Sequence, residues 1–207
     1  MTKKKTNKNR PVQFMINDRP VEAEKNWTVL ETAREYGIHI PTLCYHEALE
    51  ASGGCRLCVV EAREGNWSKV VISCMYPVKE GITILTESER VKNVRRWILE
   101  MLLAECPGSK EIRTLAAEYG VTHSRFSVKN PEEQCMLCGL CMRVCREVVG
   151  VSAITTVGRG VHKLIGTPFE KVSEACVACG SCVTVCPTGA MKTRLDAVRG
   201  AVKAPQS

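Results

Sequence analysis

The sequence predicts an α+β chain made of two small cysteine-rich modules joined by a helical segment. Only 44% of the 207 residues are apolar and 5% are aromatic, which is little material for one large core. Thirteen cysteines are present, well above ordinary usage, and twelve of them fall into regularly spaced groups. Short β-rich runs come first along the chain and helical patterns follow them. We therefore expect small modules that bound groups help to stabilise.

Residues 11–86 carry the pattern of a sheet with one helix packed on it. A hairpin is predicted at Val12–Ile16 and Pro20–Glu24, on either side of an Asn-Asp turn. Thr28-x-x-Glu31 is a capping box and predicts the start of a helix. Further β-rich runs are Leu57–Glu61, Val70–Ser73 and Ile82–Leu85. This order of hairpin, helix and short strands is typical of a β-grasp sheet.

Residues 87–129 are predicted to form a helical linker. Thr86-x-x-Glu89 offers a second capping box, and apolar residues at helical spacing follow it. Pro107-Gly108 ends this helix, and Ser109 is placed to cap a shorter one. The apolar stripe comprises Val91, Val94, Ile98, Met101 and Leu102.

Residues 130–193 contain an internal repeat with an offset of 41 residues. Each copy has the spacing C-x2-C-x2-C-x3-C, which is that of bacterial dicluster ferredoxins. Between the copies, Gly158-Arg159-Gly160 predicts a hairpin. The matching cysteines are Cys135, Cys138, Cys141 and Cys145 in the first copy and Cys176, Cys179, Cys182 and Cys186 in the second.

Such runs hold 4Fe–4S clusters, because three thiolates spaced by two residues can wrap around one face of a cubane. The fourth cysteine lies at a helix start and points to the other cluster. The sequence therefore predicts two cross-ligated 4Fe–4S clusters. Their ligand sets are Cys135, Cys138, Cys141 and Cys186 for one cluster, and Cys145, Cys176, Cys179 and Cys182 for the other. Structural zinc is the alternative for a lone C-x2-C pair, and a register of eight cysteines disfavours it.

Another set of four cysteines lies in the first module, with the spacing C-x10-C-x2-C-x15-C. Plant-type ferredoxins have four residues in the first interval, and here a longer loop ending in Gly53-Gly54 takes that place. The two glycines would let backbone N–H groups approach bridging sulfides. We predict a 2Fe–2S cluster, again with zinc as the alternative. Its ligands are Cys44, Cys55, Cys58 and Cys74.

The segment PTLCYHEALEASGGCRLCVVE, the helix after it and the paired ferredoxin motifs resemble the N-terminal iron–sulfur region of the large complex I electron-input subunit. They also resemble the diaphorase iron–sulfur subunits of NAD-linked hydrogenases, bidirectional or bifurcating, and of formate dehydrogenases. The resemblance covers residues 12–191. It implies an electron relay in a hydrogenase-like complex, between a flavoprotein diaphorase subunit that handles NAD(P) and a catalytic oxidoreductase subunit.

One departure from that family concerns an additional 4Fe–4S site with the pattern H-x3-C-x2-C-x5-C. When this pattern is set against Cys106, the other positions hold Leu102, Ser109 and Leu115. Three of the four ligands are missing. The resemblance therefore implies that this site in the linker is degenerate, and that Cys106 is a leftover buried thiol.

Composition and missing motifs restrict the function further. Neither a nucleotide-binding glycine motif nor a nucleophile–base constellation is present, so the chain is expected to have no active site of its own. We find no run of 18 apolar residues and no signal-peptide pattern, which predicts no transmembrane segment and a cytoplasmic location. Residues 1–10 and 194–207 are predicted to be tails, the first one basic and disordered.

The formal charge of +7 would suit a nucleic-acid partner, but two considerations weaken that interpretation. Five of the positive charges lie in the N-terminal tail. Three clusters at about −2 each would offset most of the formal charge, because the bound thiols are deprotonated. Nucleic acid is therefore not an expected partner.

Three other functions stay open from the sequence alone. A freely diffusing soluble polyferredoxin would carry the same clusters without partner subunits. A succinate-dehydrogenase-like subunit would have C-x4-C in its 2Fe–2S loop, against x10 here. A zinc-stabilised nucleic-acid binder would use the lysine-rich N-terminus.

Overall fold

The computed structural model describes most of the chain. The described residues are 11–128, 130–167 and 173–192. Both predicted tails, residues 1–10 and 194–207, lie outside them.

The chain divides into two compact units. The first contains the described residues up to Thr42 together with Arg56–Arg95, and the second contains Leu43–Cys55 and the described residues from Arg96 onward. The domain limits predicted from the sequence stay a prediction.

A five-stranded mixed sheet forms the centre of the first unit. Its strands are β1 (Val12–Ile16), β2 (Arg19–Ala23), β3 (Val59–Glu64), β4 (Trp67–Ile72) and β5 (Thr83–Leu85). Their order is β2-β1-β5-β3-β4, and only β1 and β5 pair in parallel. Alternate residues such as Phe14, Ile16 and Val21 are buried, as the period of two along a strand requires. The mixed sheet and its helices confirm the predicted α+β class.

Helix α1 (Val29–Glu35) begins at the predicted capping box. Thr28 Oγ1 accepts from the Glu31 N–H at 3.3 Å, and Glu31 Oε2 accepts from the Thr28 N–H at 2.7 Å. These reciprocal bonds satisfy N–H groups that the helix itself leaves without partners. The buried residues of α1 are Val29, Leu30, Thr32 and Ala33.

Helix α2 (Glu89–Glu105) does not use the second predicted capping box. Ser88 caps it instead, because its Oγ accepts from the Val91 N–H at 3.3 Å. The Thr86 N–H donates at 3.0 Å to Oδ1 of Asn17, which is far from Thr86 along the chain. The capping box at Thr86 was therefore a wrong prediction, since a long-range hydrogen bond engages that residue.

The buried residues of α2 also differ from the predicted stripe. Val91 and Ile98 are buried as expected, whereas Met101 is 38% exposed. The additional buried residues are Arg95, Leu99 and Leu103. Hydrophobic spacing therefore located the helix but only part of its buried side.

The second unit contains further short elements: α3 (Lys110–Glu118), α4 (Leu140–Glu147), β6 (Thr155–Val157), β7 (Leu164–Gly166) and α5 (Ser181–Thr184). Ser109 caps α3 as predicted, because its Oγ accepts from the Ile112 N–H at 3.3 Å. Strands β6 and β7 form the predicted antiparallel hairpin. Gly158 in its turn has a φ of 75°, and a Cβ there would collide with the His162 carbonyl oxygen. None of the helices in the described ranges is long and apolar enough to cross a membrane.

Candidate iron–sulfur centres

Residues 43–55, the Cys44 loop, surround one sulfur with hydrogen-bond donors. Cys44 is only 2% exposed, and its Sγ accepts from the Cys55 N–H at 3.3 Å. Hydrogen bonding by Cys55 lowers the pKa of Cys44 to about 5 against the opposing effect of burial, and Ser52 and Gly54 contribute further. Donors aimed at a sulfur stabilise the thiolate, which is the form that binds metal.

The backbone on both sides of Cys55 is left-handed. Gly53 and Arg56 each have a φ of 61°. Turned residues of this kind direct backbone N–H groups toward one side and create a concave site for an anion. The role that the sequence suggested for Gly53-Gly54 toward bridging sulfides stays a prediction.

Cys58 and Cys74 lie at one end of the β3–β4 hairpin in the first unit. Val59 pairs with Ile72, so the residue before β3 and the residues after β4 are close together. Ser73 joins the two segments, because its N–H and Oγ donate to the Cys58 carbonyl oxygen at 3.0 and 2.7 Å. Both thiols are 2% exposed. The hairpin therefore fixes two of the predicted 2Fe–2S ligands, and the other two belong to the Cys44 loop.

The two four-cysteine motifs share a backbone conformation as well as a spacing. Leu137 and Gly139 in the first motif have φ angles of 55° and 76°. Ala178 and Gly180, at the same positions of the second, have 54° and 78°. Gly139 and Gly180 are also the N-cap residues of α4 and α5. The sequence repeat is therefore a structural repeat, and its left-handed turns allow each loop to curve around a bound anion.

Cys186, the last cysteine of the second motif, packs with cysteines of the first motif. It packs in one apolar cluster with Cys135 and Cys141 of the first motif, and Cys182 of the second motif contacts the same cluster. Burial raises the pKa of Cys138 to about 11 and that of Cys141 to about 12, and the nearby Cys186 thiol contributes to both increases. The four cysteines of the first predicted 4Fe–4S set are therefore neighbours.

The other predicted 4Fe–4S set consists of one loop and one cysteine on α4. The loop cysteines are Cys176, Cys179 and Cys182. Hydrogen bonding by Ser181 lowers the pKa of Cys179, which is exposed. Cys145 is buried, and its Sγ accepts from the Ala153 N–H at 3.2 Å.

The donor set as a whole suits iron–sulfur clusters. All thirteen cysteines are free of disulfide bonds. Among the described residues, no three Cys, His, Asp or Glu side chains surround the position of a single metal ion. A cluster spreads its ligands over several irons, with two cysteines on each iron of a 2Fe–2S cluster and one on each iron of a 4Fe–4S cluster, so the sulfurs need not surround a single metal position. Cysteine sulfurs, left-handed ligand loops and convergent N–H groups are the features that such a group needs.

Comparison with known families identifies both parts of the chain. The family described as "2Fe-2S iron-sulfur cluster binding domain" matches residues 9–89, and the "4Fe-4S dicluster domain" matches residues 134–190. The chain therefore contains both predicted kinds of iron–sulfur domain, in the predicted order.

Longer similarities extend over nearly the whole chain. It is 33% identical to the NADH-ubiquinone oxidoreductase 75 kDa subunit of Reclinomonas americana, over 88% of this chain. It is 30% identical to the mitochondrial 78 kDa subunit of the same enzyme from Candida albicans, over 91% of this chain. The chain is a homologue of these NADH-ubiquinone oxidoreductase subunits. It spans 29% of the length of both relatives.

A solved structure gives the same result at the level of the fold. One chain in the crystal structure of an NAD+-reducing [NiFe]-hydrogenase in the H2-reduced state matches this homologue with a TM-score of 0.73 and 29% identity. The match covers 86% of this chain and 85% of that chain. Length as well as fold are therefore similar in this case.

In this iron–sulfur homologue Cys106 lies outside the three cysteine sets and is inaccessible to solvent. It is 0% exposed, and its Sγ donates to the Leu102 carbonyl oxygen at 3.1 Å. Burial raises its pKa to about 12. Ser109, at another position of the site that the resemblance implied to be degenerate, caps α3. These contacts agree with the buried thiol that the resemblance implied.

Arg143 lies between two predicted ligands on α4 and was not among the residues predicted from the sequence. It is 9% exposed, its Nη2 donates to the Cys44 carbonyl oxygen at 2.7 Å, and its Nη1 donates to the Glu50 carbonyl oxygen. A signal was available, because the same position of the second motif holds Thr184. An arginine on the buried face of a helix needs hydrogen-bond acceptors from another segment of the chain, because the burial of an unpaired charge is costly.

Proposed function

We propose that the chain is an electron-relay subunit of an NAD(P)-linked oxidoreductase complex. It would hold one 2Fe–2S and two 4Fe–4S clusters, and connect a flavin- and NAD(P)-handling subunit with a catalytic partner such as a hydrogenase or formate dehydrogenase. The packing of Cys186 against the first motif carries this proposal. A relay needs adjacent clusters, and the exchange of a ligand between two motifs keeps two cubanes adjacent.

Twelve cysteines would bind the three clusters. The proposed ligands are Cys44, Cys55, Cys58 and Cys74 for 2Fe–2S, Cys135, Cys138, Cys141 and Cys186 for one 4Fe–4S, and Cys145, Cys176, Cys179 and Cys182 for the other. The contacts within the Cys44 loop, at the end of the β3–β4 hairpin and around Cys186 support these sets.

When bound, each cluster supplies a one-electron site. The residues of this chain would keep the site rigid and set its reduction potential through hydrogen bonds and burial. The Cys55 N–H already donates to the Cys44 sulfur, and such a bond favours the more negative, reduced state. The buried thiols Cys58 and Cys74 keep water away from their side of the site.

The proposed partners rest on the homologues. The curated relatives are subunits of NADH-ubiquinone oxidoreductase, and the similar solved chain belongs to an NAD+-reducing [NiFe]-hydrogenase. We propose a non-catalytic role for the present chain in a comparable assembly. We also propose a cytoplasmic location, where thiols stay reduced and can bind iron.

Metal analysis of the anaerobically purified protein tests the cluster content. The proposal gives about ten irons per chain, two from 2Fe–2S and four from each 4Fe–4S cluster, with a similar amount of acid-labile sulfide. Stoichiometric zinc without sulfide would refute the proposal and support a zinc-stabilised fold.

Native purification tests the role as a subunit. The expected result is co-purification at fixed stoichiometry with a flavoprotein and a catalytic oxidoreductase subunit. If the cluster-loaded chain instead runs alone as a stable, redox-active monomer, it is a freely diffusing polyferredoxin, and the subunit role is wrong.

A further inference from the structure

We propose that Arg143 is a positioning residue for the 2Fe–2S centre: it holds the Cys44 loop on helix α4 and raises the reduction potential of that centre. This inference rests on the proposed function and concerns contacts within the second unit. It assigns a role to a residue that is not a ligand of any cluster.

The guanidinium of Arg143 binds the Cys44 loop at two points. Nη2 donates to the carbonyl oxygen of Cys44 at 2.7 Å, and Nη1 donates to the carbonyl oxygen of Glu50. A planar guanidinium can bridge two acceptors at once, whereas an ammonium group acts as a point charge. One of the two acceptors belongs to a proposed 2Fe–2S ligand, so the position of that ligand depends directly on Arg143.

Neighbouring residues of α4 support the same segment of the loop. Glu147 Oε2, one turn after Arg143, accepts from the Glu50 N–H at 3.2 Å. Glu50 is therefore bound through its N–H and through its carbonyl by two side chains of one helix. Leu49, the preceding loop residue, packs with Leu140 and Val144 of α4 in one apolar cluster. The loop consequently contacts α4 through both apolar and polar groups.

Helix α4 also carries proposed ligands of both 4Fe–4S clusters. Cys141 belongs to one set and Cys145 to the other, and Arg143 lies midway between them. The helix that contributes to both 4Fe–4S sites thus also positions the loop with two proposed 2Fe–2S ligands.

The charge of Arg143 is nearly removed from water. The residue is 9% exposed, its two hydrogen bonds go to carbonyl oxygens, and its charge also interacts with the Glu147 carboxylate one turn away. Its buried Nε has no hydrogen-bond partner among the described residues. A buried positive charge is poorly screened. Because reduction adds negative charge to a cluster, this charge favours the reduced state and raises the potential.

Arg146 provides a matched control on the same helix. Its side chain is 65% exposed and pairs with Glu147 at 2.8 Å. Replacing either arginine by methionine removes one positive charge and keeps an unbranched side chain. Only Arg143→Met removes the contacts with the Cys44 loop and a buried charge, since solvent screens the charge of Arg146.

The test compares wild type, Arg143→Met, Arg143→Lys and Arg146→Met in the full, cluster-loaded chain. EPR-monitored redox titration measures the midpoint potential of the 2Fe–2S signal, and hydrogen exchange with mass spectrometry measures the amides of residues 43–55. Arg143→Met should lower the potential and accelerate exchange in the loop at least about tenfold. Arg143→Lys should return the potential toward wild type and leave exchange fast, because it keeps the charge without bridging both carbonyls. Arg146→Met loses only an exposed ion pair with Glu147, so it should leave the potential unchanged and accelerate exchange in the loop much less than Arg143→Met does.

The inference is overturned if Arg143→Met matches Arg146→Met in both potential and exchange. If Arg143→Met fails to fold, the milder Arg143→Lys decides: exchange as slow as in the wild type contradicts the positioning role. A wild-type protein without any 2Fe–2S signal would refute the proposed function instead. The exchange comparison would then still decide whether Arg143 holds the loop.

Discussion

Leu137 and Ala178 have nearly the same left-handed backbone, with φ angles of 55° and 54°, although they lie 41 residues apart. Each stands two residues after the first cysteine of its motif. Side chains with a Cβ are disfavoured there at a cost of about 1–2 kcal/mol per residue. Strain of this kind persists where the surrounding structure requires it, and it concentrates at functional sites. The same unfavourable turn in both copies indicates that a ligand loop of this shape is needed.

Ala178→Val tests the importance of that turn. A β-branched side chain is particularly unfavourable at positive φ, so we expect the substitution to destabilise the chain by about 1–2 kcal/mol and to lower the iron content. Ala175→Val is the matched control, because Ala175 is exposed and is not among the left-handed residues. Thermal unfolding and iron analysis measure the two effects. Equal behaviour of the two variants would show that the turn tolerates a branched residue.

Local patterns predicted much of this fold. The hairpin before α1 and its capping box depend on contacts between residues a few positions apart, and both are present. The parallel pairing of β1 with β5 joins Met15 with Thr83, and nothing in either segment alone encodes it. The capping box predicted at Thr86 was wrong for a related reason, because Asn17 binds that residue across a long stretch of chain.

The candidate site, like the fold, has a part that the sequence predicts and a part that only the structure shows. Cysteine spacing alone was enough to predict the three ligand sets, because each ligand loop is short and its chemistry is specific. The role of Arg143 depends on two carbonyl oxygens that lie more than ninety residues earlier in the chain. Side-chain identity does not reveal which backbone carbonyl will be nearby, so only the structure shows this contact.

Reciprocal substitutions test whether the fourth cysteine of each motif binds the cluster of the other motif. Cys145→Ser should damage the cluster of Cys176, Cys179 and Cys182, and leave the cluster of the first motif. Cys186→Ser should have the opposite effect, because its side chain packs with Cys135 and Cys141. EPR spectra of the two reduced variants distinguish the remaining 4Fe–4S signals. If each serine damages the cluster of its own motif, the ligands are not exchanged.

Cys106→Ala tests whether Cys106 is only a buried thiol. We expect the full iron content and a loss of stability of about 1 kcal/mol, since a small buried group and one hydrogen bond are removed. The loss of about four irons would instead make Cys106 a ligand.

Chemical labelling provides a second measurement on Cys106. Its pKa is raised from 9.0 to about 12 by burial, so the folded state favours the neutral thiol. At pH 8 the native protein should leave Cys106 unlabelled by iodoacetamide, whereas the unfolded chain should react. The stabilisation by this thiol is complete below pH 9.0 and declines as the pH rises toward about 12, because the unfolded thiol ionises first. Rapid labelling of the native protein would contradict the buried position.

Glu61→Gln tests the hydrogen bonds that hold a buried carboxylate on β3. Glu61 Oε1 accepts from Arg63 Nε at 2.9 Å and from Ser68 Oγ at 2.7 Å, and its side chain is 5% exposed. The hydrogen bond from Arg63 is the main cause of the low pKa of Glu61, which falls from 4.5 to about 2. Hydrogen bonds from Ser88 and Ser68 contribute as well. This stabilisation is complete above about pH 4.5 and declines as the pH falls toward 2.

At pH 7 Glu61 is therefore ionised and fully stabilising. A glutamine keeps the shape of the side chain but loses charge-assisted hydrogen bonds, which contribute about 1.5–3 kcal/mol each. Glu64→Gln, at an exposed position of the same strand, is the control. Thermal unfolding at pH 7 should show a lower midpoint for Glu61→Gln and no change for Glu64→Gln. Equal midpoints would mean that the buried carboxylate costs as much in desolvation as its hydrogen bonds contribute.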